Sequence, residues 1–199
     1  MPMTLVSMSQ SIPFRENDRD PQDRDLVKSC LQGDRQSFRL LYQRHHTAVR
    51  STLYQLCGPT ELDDLEQEVF LRAWKGLKGF RQSAQFSTWL YRITWNVASD
   101  RRHKLGQERS KQAHFLPLAQ DNSDQSSDLN HPHYQDLVQR GLAQLSEDHR
   151  SVLVLHDLQD LPQKEIAQVL GIPVGTVKSR LFHARSTLRQ FFQQEGVQL

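Results

Sequence analysis

Cysteine is nearly missing from this chain: Cys30 and Cys57 are the only two in 199 residues, too few for a disulfide framework. Long apolar runs are missing as well, and none approaches the ~20 residues needed to cross a bilayer. Residues 1–20, with Pro2, Pro13 and Asn17, lack the basic start and apolar core of a signal peptide. A soluble protein of a reducing, cytoplasmic compartment is expected, without membrane insertion and with residues 1–24 as a disordered leader. Charge of one sign is also scarce. Lys and Arg number 25 against 23 acidic residues, a formal net charge of +2, so a surface for a polyanion has to come from local clustering. No period-two alternation rises above noise, which excludes a sheet fold. No nucleophile–base–orienter set and no phosphate-cradling glycine loop occurs, so catalysis by this chain is not expected. Cys30, Cys57, His45 and His46 show no paired zinc spacing, and His131 and His133 sit in a polar stretch, so neither metal nor cofactor is expected.

What the chain does contain is helical periodicity. Leu26, Val27, Cys30 and Leu31, then Phe38, Leu41, Tyr42, His45, Val49 and Leu53, recur at helical spacing around a Gly33-Asp34 turn. Gly58-Pro59 closes that pair. Leu62, Leu65, Val69, Phe70 and Ala73 define a third helix ended between Gly76 and Gly79. The stripe Phe86, Leu90, Ile93, Val97 opens a fourth, which runs into Arg101-Arg102-His103-Lys104. Pro117 to His133 is polar, acidic and poor in apolar anchors, the composition of a linker that cannot offset its ordering entropy. Helical pattern resumes at Tyr134 and continues through Leu145, Val152, Leu155 and Leu158. The predicted fold class is all-α: one helical unit over 25–105, a flexible linker over 106–134, a second unit over 135–192 and a tail over 193–199.

The second unit ends in Lys164 to Leu181, two short helical patterns about a glycine turn. Ile166, Ala167, Val169 and Leu170 form an apolar stripe, Ala167 is small enough for close helix approach, and Gly171 suits the left-handed conformation that stops a helix. Ile172-Pro173 turns the chain, Gly175 or Thr176 is the expected cap, and Val177, Leu181, Ala184 and Leu188 form one helical face. The opposite face carries Lys178, Ser179, Phe182, His183 and Arg185, and no acidic residue occurs between Ile166 and Gln194. This is a helix-turn-helix with a face suited to DNA. A solvated amphipathic helix is the bland alternative.

This motif joins two others, Asp63-Asp64-Leu65-Glu66-Gln67-Glu68-Val69-Phe70-Leu71-Arg72-Ala73-Trp74 and Phe86-Ser87-Thr88-Trp89-Leu90-Tyr91-Arg92-Ile93-Thr94-Trp95-Asn96-Val97-Ala98. Together, and in that order, they resemble a bacterial RNA polymerase sigma factor of the sigma-70 family, of the small extracytoplasmic-function (ECF) type. The resemblance covers about residues 25–105 (domain 2) and 135–192 (domain 4).

That resemblance implies docking of the third helix on the polymerase β′ subunit through Asp64, Gln67, Glu68, Leu71 and Arg72, with the β subunit as a further contact. Asp64, Gln67, Glu68 and Arg72 stand three or four residues apart, on a polar face opposite Leu65, Val69 and Ala73. Glu66 departs from the smaller or apolar residue common in the family. For the −10 element the resemblance implies Phe80, Arg81, Ser83 and Asn96 around a flipped base, with Arg92, Arg101, Arg102 and Lys104 toward phosphates. Trp89 is assigned to the core; for Trp95 core packing and base contact both stay open. The loop Gln82-Ser83-Ala84-Gln85 differs from the commoner Gly-Asp-Ser type. For the −35 element the implied residues are Thr176, Lys178, Ser179, Phe182 and His183 on the second helix, with Arg180 and Arg185, and with Gln163 and Lys164 where the first helix meets the backbone. His183 replaces a frequent arginine and cannot form the bidentate contact to guanine. Family members are often held by an anti-sigma factor covering both domains, and the acidic linker resembles one that threads toward the polymerase active centre.

The alternatives are a helix-turn-helix repressor or activator acting without the polymerase, and a nucleic-acid enzyme. The first needs neither a docking face nor a strand-opening helix. The second needs an acidic metal cluster, which is not visible.

Overall fold

The computed structural model describes residues 21–80, 84–113 and 132–197. Every regular element among them is helical: α1 (Pro21–Leu31), α2 (Arg35–Cys57), α3 (Leu62–Gly76), α4 (Phe86–Ala113), α5 (Pro132–Ala143), α6 (Glu147–Leu153), α7 (Gln163–Leu170) and α8 (Val174–Gln194). A short 3₁₀ turn, Leu77–Gly79, follows α3, and a π-helical turn, Val154–Leu158, follows α6. The leader up to residue 20, Arg81 to Ser83, and the linker from residue 114 to His131 lie outside the described residues.

Each boundary has a local cause. Gly33 adopts φ +101° between α1 and α2, and the Asp34 carboxylate accepts from the Gln36 amide at 2.9 Å to cap α2. Gly58, at φ +81°, stops α2. In the C-terminal unit Ser146 caps α6, and Gly171, at φ +68°, ends α7. The cap expected at Gly175 or Thr176 is not where α8 starts. Extended Pro173 precedes Val174, and the Val177 amide donates to the Pro173 carbonyl at 3.1 Å, so α8 begins earlier.

Three other boundaries shift from the sequence expectation. The expected leader reached residue 24, yet α1 begins at Pro21, because buried Asp23 shares a 2.7 Å hydrogen bond with buried His45 and accepts from Arg44 at 2.8 Å. Helix α4 runs on to Ala113 rather than closing near residue 105, and α5 starts at Pro132 rather than Tyr134.

Leu41, Val49, Leu53 and Leu56 of α2 form the spine of the N-terminal core, against Leu65, Val69 and Ala73 of α3 and Leu90, Val97 and Ala98 of α4. Trp89, assigned to the core, lies against Phe80 and Phe86 with ring centroids 5.0 and 5.7 Å away. In the C-terminal unit Ile166, Val169, Val177 and Leu181 join the helix-turn-helix to Val152 of α6 and Leu155 of the π-helical turn. Burying a side chain such as Leu181 contributes about 1.5–3 kcal/mol. Gly141 of α5 lets α8 approach: a Cβ there would meet Leu188 at 3.1 Å and Phe191 at 3.2 Å.

The two units touch. Tyr91 of α4 is buried in the C-terminal core beside Val152, Leu161 and Ile166, and Trp95 lies at the junction, bordering both cores. The charged segment continuous with Trp95 therefore turns toward a protein neighbour as well as toward solvent.

Candidate nucleic-acid interface and docking groove

A groove of about 990 Å³ runs between α2 and α3. Its apolar wall is Phe38, Tyr42, Phe70, Leu71 and Trp74, and its polar end is Arg50, Asp63, Glu66 and Gln67. Leu71 is 43% exposed and Trp74 39%, unusual for large apolar side chains that have a core available. Phe38 meets Trp74 edge-on at 4.9 Å, and Tyr42 meets Phe70 edge-on at 4.7 Å, so the wall is a fixed aromatic surface.

Glu66 organises the polar end. It is buried, accepts from the Tyr42 hydroxyl at 3.1 Å and from Arg50 at 3.0 Å, and lies 3.9 Å from His46. Burial, followed by the Glu66 hydrogen bond, pushes the Tyr42 hydroxyl pKa up and keeps it a donor. The carboxylate is acceptable in the interior because it is paired.

The expected docking residues divide. Gln67 and Leu71 line the groove; Asp64 is exposed on α3 outside its lining; Glu68 and Arg72 face α4, where Arg72 bridges Glu68 and Asp100 at 2.7 Å each. The α2 wall was missed by sequence reasoning. Phe38 and Tyr42 fall on the same periodic stripe as the core residues Leu41 and Val49, and periodicity alone does not separate a groove wall from a core.

Along α4, Arg92 and Asn96 are exposed, and Phe80 is half-buried at the helix's entrance against Phe86 and Trp89. Arg81 and Ser83 lie outside the described residues. Arg101 bridges Glu61 at 2.7 Å. The Arg102 guanidinium lies 4.8 Å over the Trp95 ring and gives two of its nitrogens, at 2.9 and 2.5 Å, to one oxygen of Glu147. Trp95 is thus part core contact and part platform for a cation.

On α8 the geometry is plainer. Lys178, Ser179, Phe182 and His183 are exposed, opposite buried Val177, Leu181 and Ala184. Phe182 is 70% exposed, the most exposed of the large apolar side chains among the described residues. Its ring stands edge-on to His183 at 5.5 Å, and His183 stacks on His149 at 6.0 Å. Thr176 is half-buried, and its carbonyl accepts from the Ser179 hydroxyl at 3.0 Å. On α7, Lys164 is exposed and Gln163 half-buried.

The flanking arginines are held at the base. Arg180 bridges Asp148 at 2.5 Å, and Arg185 grips both oxygens of Asp157. Burial raises the Asp157 pKa, but hydrogen bonds from Arg185 and His156 outweigh it and hold the carboxyl below the usual carboxylate range.

A two-unit helical protein whose helix-turn-helix leaves one face of α8 exposed and free of acidic side chains falls in the class of DNA-binding proteins. Family models agree. One described as Sigma-70 region 2 matches residues 41–108, and one described as Sigma-70, region 4 matches residues 135–188. The chain is 31% identical over 181 residues to the ECF RNA polymerase sigma-E factor of Haemophilus influenzae, covering 86% of this chain and 95% of the relative. To the ECF RNA polymerase sigma-E factor of Escherichia coli (strain K12) it is 30% identical over 177 residues, covering 83% and 92%. The solved structure of CnrH in complex with the cytosolic domain of CnrY is similar, with a TM-score of 0.65, 27% identity and coverage of 87% of this chain and 98% of that one. The sigma factor RpoE in complex with the anti-sigma factor NepR from Bartonella quintana shares the fold, with a TM-score of 0.64, 24% identity and coverage of 78% and 96%.

The chain belongs to the sigma-70 family of RNA polymerase sigma factors, in the ECF group. It is a promoter-specificity subunit, acts by binding rather than by making bonds, and has core RNA polymerase and promoter DNA as its partners. Among the described residues no helix is long and apolar enough to cross a membrane.

Proposed function

We propose that the groove between α2 and α3 receives the polymerase β′ subunit, α4 takes up the −10 strand, and α8 reads the −35 duplex. In the groove Gln67 and Leu71 act with Phe38, Tyr42 and Trp74, while Asp64 lies beside them. Glu68 and Arg72 set the angle between α3 and α4. Arg92 and Asn96 are the exposed strand contacts, joined by Trp95 and Arg102 once freed; Phe80, with Arg81 and Ser83 following it, forms the approach to the base pocket. Arg101 is a phosphate contact after exchanging Glu61.

In the major groove Lys178, Ser179, Phe182 and His183 meet base edges, Thr176 supports Ser179, and Gln163 and Lys164 reach phosphates. Arg180 and Arg185 exchange their carboxylate partners for phosphate, an exchange that surface ion pairs permit because each contributes only about 0–1 kcal/mol. A residence in the cytoplasm follows from polymerase as partner, and an anti-sigma factor is the natural restraint, given that the similar RpoE is solved with one.

One observation carries this reading: Phe182 stands 70% exposed on a helix face free of acidic side chains, with the opposite face fully buried. No folding role explains that placement, whereas a thymine methyl in the major groove does. The test uses holoenzyme reconstituted with core polymerase and a DNA-cleaving iron chelate attached at Ser179→Cys or, separately, at Asn96→Cys. Cuts around −35 from the first and around −10 from the second are expected. Cuts at neither position, in complexes that still initiate, contradict it.

A further inference from the structure

Most arginines among the described residues already hold a carboxylate, from Arg44 on Asp23 at 2.8 Å to Arg185 on Asp157. Arg92, Lys164 and Lys178 hold none, and each belongs to a surface proposed for DNA. Arg35, Lys75 and Lys78 also hold none among the described residues, and no DNA surface includes them. These three line one cavity.

The cavity measures about 640 Å³ and opens between the α1–α2 turn and the end of α3. Besides the three cations it is lined by Leu31, Gln32, Trp74 and buried Leu77. Its volume is that of a site for a small molecule. Leu31 and Trp74 are both large apolar side chains left exposed at its wall.

Local electrostatics account for only part of the charge. Lys75, in the last turn of α3, and Lys78, in the 3₁₀ turn that follows, meet the negative end of the α3 dipole. Arg35 has no such reason. It is the first residue of α2, where the positive end of the helix favours an acid instead. The neighbouring Asp34 does not pair with it, because that carboxylate accepts from the Gln36 amide at 2.9 Å and from the Ser37 hydroxyl at 2.6 Å. Three like charges around one concavity repel one another, and an anion seated among them turns that repulsion into attraction.

The kind of anion follows from the number of donors and from the indole. A single phosphate or carboxylate occupies one or two cationic side chains, whereas three around a cavity of this size match a run of phosphates. Trp74 adds an aromatic surface on which a base can stack. From this cluster of Arg35, Lys75, Lys78 and Trp74 we propose that the cavity binds a nucleoside triphosphate, its phosphates on the three cations and its base against the indole. Such molecules are the substrates of the polymerase that the chain serves, so ligand and protein meet wherever transcription starts. The site is separate from the faces of α4 and α8 proposed for DNA, and it does not depend on their assignment. It shares Arg35 and Trp74 with the groove between α2 and α3, so the free chain, with that groove empty, is the form to test.

Calorimetric titration of the full chain with ATP, AMP, inorganic tripolyphosphate and a hexaglutamate peptide, in about 0.15 M salt, is the test. One ATP per chain is expected, bound at least about tenfold more tightly than AMP, a difference equivalent to one charge-assisted hydrogen bond. ATP should also bind several-fold more tightly than tripolyphosphate, and Trp74→Leu should remove that preference. Lys75→Gln with Lys78→Gln is expected to lower ATP affinity at least about tenfold. Arg24→Gln with Arg189→Gln removes the same charge from exposed positions outside the cavity and should leave the affinity unchanged. Absence of ATP binding overturns the proposal, as does an equal loss from the two charge-matched pairs, which would mark attraction to the chain's general field. Hexaglutamate binding as tightly as ATP would assign the cavity to an acidic protein segment and overturn it too. Tripolyphosphate binding as tightly as ATP to the unaltered chain would strike out the nucleoside.

Discussion

Helices α4 and α8 both carry the positive charge that DNA requires, and they hold it in opposite ways. On α8 the face proposed to read duplex DNA is bare, with Lys178, Ser179, Phe182 and His183 in solvent and the arginines tied down at its margins. On α4 the residues proposed for the −10 strand divide: Arg92 and Asn96 are exposed, whereas Trp95 and Arg102 lie against the C-terminal unit, Arg102 bound to Glu147 and Tyr91 buried beside them. Duplex DNA presents its code in the major groove as it stands, so a helix that reads it needs no rearrangement. A melted strand exists only after the polymerase has been engaged, and a sticky aromatic and cationic face exposed before then would bind any single strand. On the proposed assignment, the difference between the helices follows the difference between their targets.

Truncating one aromatic on each helix separates the two cases most strongly. Tyr91→Ala is expected to destabilise the protein by about 3 kcal/mol, the cost of emptying a buried aromatic site, measured by chemical denaturation. Phe182→Ala should leave stability within about 0.5 kcal/mol while lowering discrimination at one −35 base pair by roughly tenfold, in line with the ~1–3 kcal/mol of a single mismatch. Equal destabilisation by the two changes would erase the distinction.

Gly141→Ala comes next. The added methyl meets Leu188 at 3.1 Å and Phe191 at 3.2 Å, so α5 and α8 are pushed apart at a cost of about 1–3 kcal/mol. Thermal unfolding measures it, and −10 recognition should be less affected than −35 recognition. A smaller effect is expected from His183→Arg. A guanidinium there restores a bidentate donor, and binding of holoenzyme to −35 duplexes carrying guanine at the facing position should tighten several-fold, read by competition binding.

The smallest effect concerns acid. Because the folded Asp157 carboxyl is held below its usual range, the Asp157–Arg185 clamp contributes fully above about pH 4, the unfolded value. Its contribution disappears as pH falls through the lower folded value. Thermal melts of the protein and of Asp157→Asn should therefore differ by a constant amount from pH 7 to pH 5 and converge below about pH 4.

Much of this molecule is legible in its sequence, because helix-turn-helix chemistry is local. Gly171, Ala167 and the Val177–Leu181–Ala184 stripe specify the turn and the bare face of α8 without reference to the rest of the chain. The Gly33-Asp34 and Gly58-Pro59 breaks are equally local. The groove was half legible: Leu71 and Gln67 could be placed on α3, but Phe38, Tyr42 and Arg50 approach them from a helix about 20 to 30 residues earlier. Glu66 shows why. A glutamate within a helical run reads as solvated, and only the positions of Tyr42 and Arg50 reveal that it is buried and satisfied. The pairing of Arg102 with Glu147, across 45 residues, was beyond any local rule. Trp95 stayed open in the sequence for the same reason, since its neighbours come from both units.

The most direct test of the whole account is multi-round run-off transcription on genomic fragments with the chain alone, core polymerase alone, and the two together. Specific start sites should appear only in the combination, while the free chain binds the same duplexes weakly. Tight, site-specific duplex binding by the free chain, with start sites unchanged by its addition to core polymerase, would contradict it.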